Sequence, residues 1–242
     1  MKVLKFGGTS VANPEGLTRV IEIIKKNTEQ LIIVVSAFGG VTNLLIEMAE
    51  QASKSNNNYK KNIKTIEEIH LNQINFFIPV KQQSGIISFL KSKINELEDF
   101  LESLNTLKEL TQKSLSKISS FGEILSSTII YHVLKDSNLD ADIADSRDIL
   151  FTHKVNDREV INNKKSAKKT SLLLKNKKSK IIVIPGFIAQ DEEGNITTLG
   201  RGGSDYTASL LANYADANIL EIWTDVSGVY TANPKLVSQA QP

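Results

Sequence analysis

Leu31-Ile32-Ile33-Val34-Val35 runs without a polar break into Ser36-Ala37-Phe38-Gly39-Gly40, and that junction decides the fold. An unbroken β-branched run of this length suits a strand buried on both faces, which is the habit of parallel sheets with helices on either side. The paired glycines mark a tight turn, and Leu44, Leu45, Met48 and Ala49 beyond them repeat at helical spacing. The same grammar stands upstream. Val3 to Phe6 reads as a strand and Gly7-Gly8 as its turn, while Asn13-Pro14 reads as an N-cap followed by proline at the first helical position. Leu17, Val20, Ile21 and Ile24 then fall on one helical face. Strand, turn and helix in succession, twice over, predict βαβ units and a mostly parallel sheet.

From about residue 53 to 135 the pattern turns helical. Ile86, Phe89, Leu90, Ile94, Leu97 and Leu101 form one stripe, and Ile118, Leu125, Ile129 and Val133 belong to another. We expect a helical insertion flanking the sheet. Strand signals resume at 141–144, 181–184 and 219–224. Asp191 to Asn195 reads as a hairpin turn within 187–199, and 203–215 as a helix. The lysine-rich stretch 164–180 lacks interleaved aromatics and is expected to be a solvated helix face rather than an RNA site.

Composition narrows the function. The 242 residues are 40% hydrophobic and 23% charged, and 29 basic against 27 acidic residues give a net charge of +2. That balance disfavours a surface built for nucleic acid or anionic membrane, which needs an excess of basic contacts. With no cysteine there is no disulfide, thiolate nucleophile or zinc–sulfur site. His70, His132 and His153 include no pair at metal-ligand spacing, so no protein metal ligand is expected. No signal-peptide pattern opens the chain, and no apolar run approaches the roughly 20 residues of a membrane helix. The expectation is a cytoplasmic protein with no nucleic-acid or membrane partner.

Three glycine-rich turns concentrate the chemistry: Lys5 to Ser10, Ser36 to Asn43, and Gly200-Arg201-Gly202-Gly203-Ser204-Asp205. Such turns let backbone N–H groups approach an anion, and the following helix adds its positive end. Three together, two carrying an adjacent Lys or Arg, point to a polyanionic ligand. A Walker-type loop, a dinucleotide fingerprint at the right spacing and the protein-kinase motifs are all absent.

Lys5-Phe6-Gly7-Gly8-Thr9-Ser10 resembles the opening signature of aspartate kinases, within the amino-acid kinase superfamily. The likeness continues in the family's order through Ser36 to Asn43, Phe121-Gly122-Glu123, Gly200 to Asp205, and Trp223 to Pro234. The resemblance implies a three-layer α/β/α sandwich around a mostly parallel sheet. It implies phosphorylation of the L-aspartate β-carboxylate by ATP with Mg²⁺, opening lysine, threonine and methionine biosynthesis. Residue by residue, it implies Lys5, Gly7 and Gly8 on the ATP phosphates, Ser36 and Gly203 also in the ATP site, and Thr224, Asp225, Tyr230 and Lys235 around the nucleotide. It places Arg201 on the substrate α-carboxylate and Glu123 on its ammonium, with Thr42 and Ser204 adding hydrogen bonds. Lys5 and Asp205 form the catalytic pair, Asp205 orienting Lys5. On this reading Arg201→Ala would weaken aspartate binding by on the order of 2–5 kcal/mol.

Two departures stand out. Thr231-Ala232-Asn233-Pro234-Lys235 occupies the place of the family's Thr-Ala-Asp-Pro-Arg, which exchanges a fork for a point charge. The chain also stops at Pro242, short of the family's second nucleotide lysine and its regulatory ACT domains. The resemblance therefore implies the C-terminally truncated kinase domain of a homo-oligomeric parent, in some relatives fused to homoserine dehydrogenase. Still open are a sister kinase for glutamate, acetylglutamate, carbamate or UMP, and a nucleotide-binding fragment without turnover.

Overall fold

The computed structural model describes residues 1–156, 158–224, 228, 230–232, 236, 237 and 239–241. In chain order its strands and helices are β1 (Lys2–Phe6), α1 (Pro14–Lys25), β2 (Leu31–Val35), α2 (Val41–Ser53), α3 (Tyr59–Phe77), α4 (Gln83–Leu107), α5 (Gln112–Asp136), β3 (Ala141–Ile143), β4 (Thr152–Val155), β5 (Arg158–Ile161), α6 (Asn163–Asn176), β6 (Ile181–Pro185), β7 (Ile188–Gln190), β8 (Ile196–Thr198), α7 (Gly203–Tyr214) and β9 (Ile219–Trp223). Among the described residues the main sheet has five strands in the order β3-β6-β2-β1-β9, all parallel. The pairs β4–β5 and β7–β8 are antiparallel hairpins.

Successive strand side chains point to opposite faces, and each face has its own core. Leu4 and Phe6 of β1, Leu31, Ile33 and Val35 of β2, and Ile181 and Val183 of β6 pack with α1 to α5. Val3, Ile32, Val34, Ile182 and Ile184 pack on the other side with Ala208, Leu210 and Leu211 of α7 and with Leu173 and Leu174 of α6. That is the three-layer sandwich expected from the sequence.

The first layer is the larger. The stripe Ile86, Leu90, Ile94, Leu97 and Leu101 is buried along α4, and Ile118, Leu125, Ile129 and Val133 along α5. The lysine-rich stretch is mainly α6, whose wholly buried positions are only Ser166 and Thr170. One feature differs from the expected outline. The β4–β5 hairpin was not anticipated, because its strands, Thr-His-Lys-Val and Arg-Glu-Val-Ile, show no apolar alternation over their four positions and leave Val155 and Val160 exposed. The helix after Ser36 to Gly40 begins at Val41, with Gly40 itself as N-cap at φ +85°, a conformation that glycine adopts without penalty. No described helix is long and apolar enough to cross a membrane.

Candidate active site

Alternation along β1 creates the site. Because Leu4 and Phe6 face the large helical layer, Lys5 must face the opposite side, toward α7. There its Nζ stands 2.7 Å from Oδ1 of Asp205, in the first turn of α7, while the Lys5 side chain is only 10% exposed. The β1–β2 and β1–β9 registers pair Lys5 with Val34 and Ile222, so the lysine rises near the carboxyl ends of three neighbouring parallel strands. Ligands of α/β sheets bind at that edge.

A cleft of about 450 Å³ opens there. Its lining includes Lys5, Gly7, Gly8, Ser36, Thr42, Glu123, Arg201, Gly203, Ser204, Asp205 and Thr224. Three turns, the last of them more than 150 residues beyond the other two in sequence, are thus walls of one chamber. Tight packing holds the walls together. A Cβ on Gly8 would stand 2.8 Å from the Ala37 carbonyl oxygen, and one on Gly203 would stand 2.7 Å from the Phe187 ring. The Gly7 N–H is already committed, donating to the Trp223 carbonyl at 3.1 Å. Gly7 therefore ties β1 to β9 and leaves anion contacts to other amides of the cleft.

Glu123 is the electrostatic anomaly. It lies in mid-α5, 3% exposed, and accepts the Ala37 N–H at Oε1 (3.3 Å). Among the described residues its other oxygen, Oε2, has no partner. Burial raises its carboxyl from the ordinary 4.5 to about 8, with the Ala37 N–H pulling the other way. A carboxylate this buried and half-satisfied is a ready partner for a cation, because the interior strengthens attraction and penalises isolation. Arg201, in contrast, is an exposed lining residue, between Gly200 and Gly202, both at positive φ.

Other expected residues divide. Thr224 lines the cleft, whereas Tyr230 is partly buried and does not line it. Asp225 and Lys235 lie outside the described residues. Thr42 is the second residue of α2, one place beyond the N-terminal residue of the helix. Sequence reasoning missed the contribution of Phe187. This residue holds φ +68° beside the cleft, donates its N–H to Thr207 Oγ1 (3.0 Å), and packs against Gly203. A left-handed aromatic residue is uncommon and persists only where its surroundings enforce it; nothing in local sequence signals it. Among the described residues no group of three or more acidic or histidine side chains is arranged to hold a metal.

Known proteins share this sequence pattern and fold. The chain is 35% identical over 246 residues to a bifunctional aspartokinase/homoserine dehydrogenase of Buchnera aphidicola, covering all of this chain and 30% of that protein. It is 32% identical to lysine-sensitive aspartokinase 3 of Escherichia coli, covering 99% of this chain and 52% of the relative. Thus it spans about a third to a half of the length of these relatives. In structure it resembles E. coli aspartokinase III in complex with aspartate and ADP, with a TM-score of 0.89 at 29% identity over the whole chain and 53% of that protein. Clostridium acetobutylicum aspartate kinase follows with a TM-score of 0.78 at 25% identity, over 99% of this chain and 51% of that one. The family description that matches runs from residue 1 to 242, and the chain belongs to the amino acid kinase family.

Proposed function

We propose that this chain transfers the γ-phosphoryl group of ATP to the β-carboxylate of L-aspartate, forming 4-phospho-L-aspartate at the head of lysine, threonine and methionine synthesis. The observation that carries the reading is that Glu123, buried with one free oxygen, and exposed Arg201 line the same cleft as the Lys5–Asp205 ion pair. A zwitterionic amino acid presents the complementary charges: ammonium to Glu123 and α-carboxylate to the Arg201 fork. UMP would satisfy neither. Aspartate and ADP are the molecules bound in the E. coli relative of similar structure.

The chemistry follows from charge. A β-carboxylate is ionised near neutrality and needs no base. One of its oxygens attacks the γ-phosphorus, the bond from that phosphorus to the bridging oxygen breaks, and ADP leaves with the electron pair. Lys5 neutralises charge on the transferring group, and Asp205 holds the ammonium of Lys5 in place. Gly8, Ser36, Gly203 and Ser204 supply polar backbone or side-chain groups at the cleft wall. Thr224, Asp225, Tyr230 and Lys235 belong to the nucleotide side of this reading. Mg²⁺ would come with the nucleotide, held chiefly by phosphate oxygens and water, and would neutralise phosphate charge.

Mixing the protein with Mg-ATP and L-aspartate and trapping acyl phosphate with hydroxylamine tests the proposal. Aspartyl hydroxamate is the expected product. Hydroxamate from L-glutamate instead would replace the acceptor, and nucleotide binding without either product would reduce the chain to a binding fragment.

A further inference from the structure

Helix α5 is unusually rich in buried serine: Ser116, Ser119, Ser120, Ser126 and Ser127 are all inaccessible. Serine is an indifferent helix former, and inside a helix it commonly turns its hydroxyl back to a carbonyl of the preceding turn. Ser120 does so to Lys117, and Ser127 and Thr128 do so to Ile124. Ser126 differs. Its Oγ donates across to the Ser36 carbonyl at 2.9 Å, shorter than the 3.2 Å to Glu123 O in its own helix.

That carbonyl shares a peptide plane with the Ala37 N–H, which donates to Glu123 Oε1. In a trans peptide the two groups point to opposite edges. Two residues of α5, three positions apart on one face, therefore grip opposite edges of a single peptide unit of the cleft wall. Close approach makes this possible: a Cβ on Gly122 would stand 2.7 Å from the Ala37 Cβ. Ser126 does not itself line the cleft.

We infer that Ser126 is a positioning residue, which fixes the Ser36–Ala37 peptide so that Glu123 offers its free oxygen to the substrate ammonium. The inference rests on the proposed aspartate kinase reading for its effect on catalysis, though the clamp itself is a property of the apo site. Charged groups sharing the cleft with Glu123 are Lys5 on β1, Arg201 in the turn before α7 and Asp205 on α7. Beneath the same loop, His70 of α3 packs its ring on Phe38 at 5.1 Å. Loss of the Ser126 hydroxyl leaves those groups in place and loosens only the N–H that favours ionised Glu123.

The test uses Ser126→Ala and Ser126→Cys, the second keeping the volume with a weak donor should alanine fail to fold. In protein carrying ¹³C-labelled glutamate, with the Glu123 signal assigned by its loss in Glu123→Gln, the carboxyl titration should move to higher pH in either variant. The KM for aspartate should rise about two- to tenfold, as for one lost hydrogen bond, with the KM for ATP unchanged. Ser126→Thr, which retains the hydroxyl, should restore both. An unmoved titration together with an unmoved aspartate KM overturns the inference. If the unmodified protein makes no aspartyl hydroxamate, the functional reading fails, and the titration alone still decides the clamp: a shift upholds it and no shift removes it.

Discussion

The two walls of the cleft are built on opposite plans. One is the Ser36–Gly40 loop pressed onto α5, where Glu123 and Ser126 are buried and the peptide between them is held at both edges. The other is the Gly200–Gly203 turn, open to solvent, with Arg201 exposed between two left-handed glycines. Each wall presents one charge, yet the charges act by different physics. On the buried wall desolvation dominates: it makes Glu123 poor at standing alone and good at meeting a cation. On the exposed wall, water screens Arg201 and the side chain must be ordered on contact. On the proposed reading, the contrast means that one wall is prepared before the ligand arrives and the other is completed by it.

The floor common to both walls should show the largest effect. Lys5→Ala is expected to lower kcat on the order of 100-fold or more, by removing a cation aimed at developing charge; hydroxamate assays at saturating substrate would measure it. A kcat within tenfold of the unmodified protein would take Lys5 out of the reaction.

Glu123→Gln sharpens the comparison in two ways. Aspartate binding should weaken by on the order of 2–5 kcal/mol, as when one member of a buried charge pair is removed, read by calorimetry at pH 8. The apo protein should respond differently. Since burial raises the Glu123 carboxyl from 4.5 to about 8, the folded state keeps a proton that the unfolded chain releases, so stability declines as pH rises across that window. His70 has the opposite sign. Wholly buried, it is lowered from 6.5 to about 4, and its contribution is lost as pH falls through that interval. The slopes oppose one another between about 4.5 and 6.5, which leaves a net decline from about 6.5 to 8. Thermal unfolding of the unmodified protein should show that decline, and Glu123→Gln should flatten it.

On the exposed wall Arg201→Ala should cost about 2 kcal/mol in aspartate binding, the low end of the range expected from the sequence, with ATP affinity nearly unchanged. Arg201→Lys should recover only part of it, since the bidentate fork is lost. Equal losses at Arg201 and Glu123 would erase the distinction between the walls. The smallest effect is expected away from both: Lys168→Glu on the solvated face of α6 should change stability by no more than about 0.5 kcal/mol, as judged from denaturant midpoints.

How much of this was legible depended on what each residue does. The central strands β2 and β6 announced themselves because burial on both faces demands unbroken apolar runs, here Leu31–Val35 and Ile181–Pro185. The three glycine turns were legible because close backbone approach leaves a mark in residue type. The chemistry of Glu123 was visible only through resemblance, since one acidic residue in a long helix reads locally like a solvated one. Ser126 and His70 carried no signal, for their roles are set by partners 90 positions away and by the ring of Phe38. The β4–β5 hairpin escaped because an exposed four-residue strand has no hydrophobic period to display.

The placement of β9 beside β1 has a consequence for synthesis. Among the described strands of the sheet, residues 219–223 leave the ribosome last, and they pair in register with residues 2–6, which leave first. Asp205 meets Lys5 across a separation of 200 positions. Contacts of such sequence distance close late, after a large loss of chain freedom. A nascent chain of 190 residues already contains β1, β2 and α5, and with them Lys5 and Glu123. It still lacks the partner that steadies the lysine and the strand that flanks it. Every nascent chain shorter than 205 residues therefore carries Lys5 without the carboxylate that pairs with it.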